Sequence, residues 1–254
     1  MMRQEMPQKY WKLLPEAHLL PDLIRDAGQR VRDMAERAPE APRRRIPLPA
    51  PASPDPVDDS LAALHAAARQ CRRCPLWQPA TQAVVGEGAE HARVMVVDQQ
   101  PGDAEDLSGR PLVGAAGKLF TRALEELGLD RSQFYLTHAL KHFSFEQRGR
   151  FRVARTPEPS HLQACQPWLQ RELATVRPRI VVCLGEIAAQ AVLGGDFRLK
   201  RQRGVWHDLP DGMRVFATVH PAWVLRHSGE ARERAYAGFV GDLRLLLDDV
   251  QKHQ

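Results

Sequence analysis

The sequence predicts an α/β fold: a three-layer α/β/α sandwich around a central, mostly parallel four-stranded sheet. Three observations predict it. Four short apolar runs rich in β-branched residues alternate with segments of helical period. The runs are apolar throughout rather than alternating, as strands buried on both faces must be. The residues with unusual chemistry fall just after the runs, where open α/β sheets bind their ligands.

Each element follows in chain order. The strands are VMVV (94–97), FYLTHAL (134–140), IVVCLG (180–185) and VFATVH (215–220). The helices between them are AAGKLFTRALEELGL (115–129), PSHLQACQPWLQRELATV (159–176) and EIAAQAVLG (186–194), and ARERAYAGFVGDLRLLLDDV (231–250) closes the chain. Together they form one domain over residues 57–254. Ahead of it, residues 39–56 hold seven prolines in eighteen positions, a semi-rigid spacer that can form neither helix nor central strand. Residues 1–38 carry short helical signals, with Leu20, Leu23, Ile24 and Val31 on one face, and read as a tethered arm.

Bulk properties narrow the function. A formal charge of +5 and a pI near 9.3 allow a nucleic-acid partner without demanding one. No apolar run reaches the length of a membrane span, and the N-terminus MMRQEMPQKYWK lacks a secretory apolar core. A cytoplasmic monomer is expected. Four cysteines in 254 residues point to metal or catalysis rather than a disulfide scaffold.

The loops after the strands share one rim. The first is DQQPGDAEDLSGRPLVGAAG (98–117), rich in glycine, carboxylates and amides. The second strand runs out through Thr137, His138 and KHFSF into RGRFRVARTP (148–157), whose four arginines call for a polyanion. The fourth ends at His220-Pro221, followed by AWVLR. Cys71 and Cys74 form CRRC, a chelating turn that suits zinc or an iron–sulfur cluster, with plain thiols an equal reading. Placement favours Cys71, Cys74, His142 and Cys165 as a ligand set, and leaves mid-strand Cys183 as a buried thiol.

In order and spacing, CRRCPLW, QPGDAEDLSGRPLVGAAG, ALKHF, the arginine segment ending RTP, ACQPWL, VVCLG and VHPAWVLR resemble the iron–sulfur uracil-DNA glycosylase family, type four. The resemblance runs from about Asp58 to the end and is nearest the UdgX branch of uracil-DNA-binding proteins. The arm also looks like the tail of a domain often fused ahead of that branch. The resemblance implies a 4Fe–4S cluster on Cys71, Cys74, His142 and Cys165, with zinc as the alternative. It also implies DNA as partner, preferably single-stranded or uracil-containing.

Site roles follow from the same resemblance. Arg150, Arg152, Arg155 and Arg226 would contact phosphates, and His220 would donate to uracil O2 as the base departs. Gln100, Gly102, Asp103 and Asp106 are pocket candidates in the first loop. Four positions depart from the family. Gln99 replaces a glutamate, Leu112 the phenylalanine that stacks on uracil, and His138 the asparagine that reads its edge. Ala154 replaces the histidine that, in the UdgX branch, bonds covalently to the sugar. Asp98 lies one residue before Gln99 and is expected to point elsewhere. The expectation is a DNA-binding relative in base-excision repair with weakened or lost glycosylase and trapping chemistry. The alternatives are an active DNA N-glycosylase, or an iron–sulfur redox or interaction module without DNA.

Overall fold

The computed structural model describes residues 58 and 60–247. The arm (1–38) and the proline-rich spacer (39–56) lie outside the described residues.

Helix α1 (Leu61–Arg69) opens the described chain, its N-cap Ser60 accepting the Ala63 N–H. Strand β1 (Val94–Asp98) is followed by α2 (Asp103–Ser108) and α3 (Ala115–Glu126). Strand β2 (Phe134–His138) leads to a hairpin of β3 (Phe145–Arg148) and β4 (Phe151–Ala154), then to α4 (Pro159–Val176). After β5 (Ile180–Leu184) come α5 (Glu186–Leu193), α6 (Leu199–Gln202) and β6 (His207–Asp208). Strand β7 (Arg214–Thr218), α7 (Pro221–Leu225) and α8 (Gly229–Leu243) complete the domain.

The main sheet has the order β2-β1-β5-β7-β6. The first four strands pair in parallel, and β6 adds an antiparallel edge. Alternation along the strands divides the core in two. Met95, Val97, Tyr135, Val181 and Cys183 face Leu64 of α1, Trp168 and Leu169 of α4, and Ala188 of α5. Val96, Leu136, Val182 and Phe216 face Phe120 of α3, Val224 of α7, and Phe239 and Leu243 of α8. Both faces are therefore covered, and this is the predicted three-layer sandwich.

Three expectations change. The sheet has a fifth strand: β6 is only two residues long, too short to carry a period, and its pairing with β7 defines it. The arginine segment is not an open loop but a hairpin, turning at Gly149 (φ +58°) with Phe145 opposite Ala154. The last helix starts two residues earlier and breaks at Arg244, with 245–247 helical again; 248–250 lie outside the described residues.

Candidate functional site

Strand order reverses at β1, which has β2 on one side and β5 on the other. Ligands of open α/β sheets bind at such a switch point. A cleft of about 600 Å³ opens there, at the carboxyl ends of the strands. Asp98, Gln99 and Gln100 leave β1 into it, and Gly102, Asp103 and Glu105 line it from the start of α2. Ala154 and Arg155 contribute the hairpin side, and His220 and Arg226 the far wall. Gly185 makes the packing work: it holds φ +93°, and a Cβ there would lie 2.3 Å from the Gln99 amide nitrogen.

Parallel register sets the inner end of the cleft. Asp98 pairs with His138 across β1 and β2, so both side chains leave the same face of the sheet. Asp98 Oδ1 accepts the Gln99 N–H at 2.7 Å and lies 2.8 Å from His220 Nε2. Oδ2 lies 3.8 Å from His138 Nε2. Contrary to expectation, Asp98 therefore points into the site. His220 caps α7, its Nδ1 accepting the Ala222 N–H at 3.0 Å. In the neutral ring Nε2 thus carries the proton and faces Asp98.

Charge follows from this arrangement. Burial pushes the Asp98 carboxyl up, but His220, His138 and the Gln99 N–H outweigh it and hold the pKa below the usual carboxylate value. Burial pushes His220 down, yet Asp98 outweighs it and leaves the imidazole above its ordinary value. His138 has no exposed surface and, among the described residues, no hydrogen-bond partner on either ring nitrogen, and burial carries its pKa down to about 4.

Several assigned residues do structural work instead. Arg152 was expected at phosphate. Its Nε lies 2.5 Å from Asp103 Oδ1 and its Nη1 2.6 Å from Asp106 Oδ2, with only 17% of the side chain exposed. Two carboxylates outcompete a solvated anion here, and the guanidinium also covers the rings of Phe143 and Phe145. Asp106 is fully buried and also accepts the Thr81 N–H, so it is a brace rather than a pocket wall. The Gln100 amide bonds the backbone of Ser144 and Arg155, stapling the hairpin to β1.

Leu112 does not line the cleft. It packs into the core with φ +53°, because α3 approaches so closely that a Cβ on Gly117 would fall 1.8 Å from Leu112 O. His138 likewise sits beneath the cleft rather than on its wall. Arg150 is exposed at the hairpin turn, stacked on Phe151.

The sequence reading missed Glu105, a buried carboxylate whose Oε2 accepts the Gly102 N–H and whose Oε1 accepts the Gly114 N–H. It fixes both glycine turns of the first loop. Its spacing three residues after Gly102, the third-turn-residue position of a cap, was the available signal.

Cys71, Cys74 and Cys165 are buried in one core cluster. Trp168 Nε1–H donates to Cys71 Sγ and the Lys141 N–H to Cys165 Sγ, and burial pushes the Cys165 thiol up to about 12. His142, next in chain to Lys141, is buried with Nδ1 lacking a hydrogen-bond partner among the described residues, and burial lowers its pKa to about 4. Three thiols and a neutral imidazole are the donor chemistry of a zinc or iron–sulfur site. Among the described residues, no group of three or more His, Cys, Asp or Glu converges closely enough to hold a metal ion. Nor is any described helix long and apolar enough to cross a membrane.

Comparison with known proteins bears on this site. The family model "Uracil DNA glycosylase superfamily" matches residues 85–244. A type-4 uracil-DNA glycosylase of Sulfurisphaera tokodaii is 38% identical over 66% of this chain and 76% of its own length. The type-4 enzyme of Pyrobaculum aerophilum is 34% identical over 74% and 97%, and that of Archaeoglobus fulgidus 36% over 68% and 87%. The matched span holds the whole cleft, from the strand that ends in Asp98 to the imidazole of His220 and the arginine beyond it. The chain belongs to the uracil-DNA glycosylase superfamily.

Proposed function

We propose that this protein is a UdgX-like superfamily member. It binds single-stranded DNA carrying uracil or another damaged base, with glycosylase and covalent-trapping chemistry weakened or lost. One observation carries the reading. The cleft keeps Arg155, Arg226 and His220 on its walls, while the positions from which attack is expected hold an amide, Gln99, and a methyl, Ala154.

Each residue has a derivable part. Arg155 and Arg226 are exposed cations beside the cleft, and together with Arg150 at the hairpin turn they neutralise phosphates and release counterions. Backbone contacts of this kind hold a strand while one nucleotide swings out of the stack. The Gln99 amide cannot take a proton from water, which removes a general-base factor of about 10²–10⁴. Ala154 has no atom that can attack the sugar.

Cys71, Cys74, His142 and Cys165 would hold a 4Fe–4S cluster as a structural anchor, with zinc the alternative; they do not close around a single ion, but a cluster spaces its ligands more widely, and Cys71 and Cys74 lie near enough to act on the Cys165 thiol. We read the protein as a cytoplasmic monomer, with residues 1–38 an accessory arm on a proline-rich tether.

A second reading has a specific observation behind it. The relatives are named as glycosylases, and Asp98 supplies the cleft with a carboxylate even though Gln99 does not. Incubation with an end-labelled single strand containing one uracil separates the readings. The proposal expects a complex at low salt that dissociates steeply as salt rises, and no alkali-labile break. Rapid alkali-labile cleavage would establish the active N-glycosylase instead. No binding even at low salt would leave an iron–sulfur redox or interaction module without DNA.

A further inference from the structure

Asp98 ends the cleft with a group that can only accept. It is 4% exposed, yet it is part of the cleft wall. Oδ1 is committed to the Gln99 N–H and to His220 Nε2. Oδ2 accepts no hydrogen bond among the described residues, and His138 Nε2 stands off from it at 3.8 Å, beyond bonding distance. The other ring nitrogen of His220 takes the Ala222 N–H, so this imidazole has no second proton to offer an incoming base. The inner end of the cleft therefore presents an anionic acceptor with spare capacity and a donor already spoken for.

Uracil suits such a floor poorly. Its edge carries two carbonyl oxygens around a single N–H: that N–H can donate to Oδ2, but a carbonyl oxygen on each side of it is then drawn toward the carboxylate charge. A cytosine-type edge replaces one carbonyl with an amino group that can donate to Oδ2. A cytosine methylated on N3 adds a full positive charge and would bond to the carboxylate as a charge-assisted donor.

We propose that Asp98 is a specificity-determining residue, which turns the cleft against uracil and toward a flipped base presenting an amino group, most of all a cationic alkylated one. The inference rests on the DNA-binding reading above and, of the two kinds of base named there, selects a damaged base over uracil. A site that hydrogen-bonds one edge rejects the edge that leaves its polar groups unpaired, which is how a single side chain can set selectivity.

The test uses the full chain and three short oligothymidylate strands that differ at one central nucleotide: uracil, cytosine or 3-methylcytosine. The flanking thymines share uracil's carbonyls and so do not mask the difference. Fluorescence anisotropy is expected to show the 3-methylcytosine strand bound about tenfold more tightly than the uracil strand, with cytosine between them. Asp98→Asn should abolish the advantage of the cationic base, and Asp98→Gly should leave uracil bound at least as well as cytosine. Each figure is a ratio of two strands on the same protein, so partial unfolding of a variant cancels. Native protein that binds the uracil strand as tightly as the others overturns the inference and leaves the DNA reading standing. If no strand binds, the DNA reading fails and takes the inference with it.

Discussion

Two buried charged clusters sit back to back on opposite faces of the end of β2, and they are built differently. On the α4 side, Lys141 Nζ lies 2.7 Å from Glu172 Oε2 and donates to Thr137 Oγ1 and to His138 O. Glu172 in turn accepts from Thr137 and Tyr135 hydroxyls and from the Gly86 N–H, and His65 pairs with the Tyr135 hydroxyl. Every charge there has partners. On the α7 side, among the described residues, neither ring nitrogen of His138 has a hydrogen-bond partner and Asp98 keeps one oxygen open. A satisfied network specifies the fold, whereas a half-satisfied one costs stability and persists where a ligand completes it. The difference teaches that burial alone does not separate structure from function here. Satisfaction does.

The largest expected effect breaks the satisfied side. Glu172→Ala strands the Lys141 ammonium and should cost about 3–5 kcal/mol of stability in urea unfolding, with the ranking of the three DNA strands unchanged. Next comes the brace between the hairpin and α2. Arg152→Ala leaves buried Asp106 without its cation and should cost about 1–3 kcal/mol, with faster proteolysis at the hairpin. A loss as small as that of a surface residue would mean that Arg152 is a phosphate ligand after all.

Smaller effects sharpen the other side. His138→Leu removes a buried ring whose nitrogens lack partners, and should raise stability by about 1 kcal/mol. It should also change the pH profile. The folded ring titrates at about 4 and the unfolded one at 6.5, so between those values the unfolded chain holds a proton that the folded chain refuses. Stability from this group falls as pH drops through that window, and the His138→Leu variant should lose that part of the slope. Smallest in stability are Arg155→Ala and Arg226→Ala. Each should leave the melting temperature near native and lower the salt slope of DNA binding by about one.

Much of this was legible in the sequence, for local reasons. Strands such as Ile180–Leu184, buried on both faces, announce themselves as apolar runs. Helix α4 begins at Pro159 and ends at Val176, where a proline at the first turn and an arginine in left-handed conformation bracket it. The wall residues Gln99, Ala154, Arg155, Arg226 and His220 were assigned by the family resemblance, in segments that follow the apolar runs.

What escaped the reading is nonlocal. Whether Asp98 faces the cleft is set by its register with His138 and by the approach of His220, 122 positions along the chain. Lys141 and Glu172 meet across a helix and a strand with no sequence mark on either. Arg152 looked like its neighbours Arg150 and Arg155 because only the hairpin separates them: it turns Arg152 onto α2, while Arg150 stands exposed at the turn and Arg155 exposed just past β4. Leu112 carried a family role in its motif, but a tight α3 packing draws it into the core.

The contrast between the clusters is tested most directly by the urea-unfolding free energy of Asp98→Ala set beside that of Glu172→Ala. The account predicts a loss below about 1.5 kcal/mol at Asp98, because His220 beside it opens onto the cleft and water can replace the carboxylate. A loss at Asp98 equal to that at Glu172 would contradict it, and would make the acidic floor of the cleft another strut of the fold.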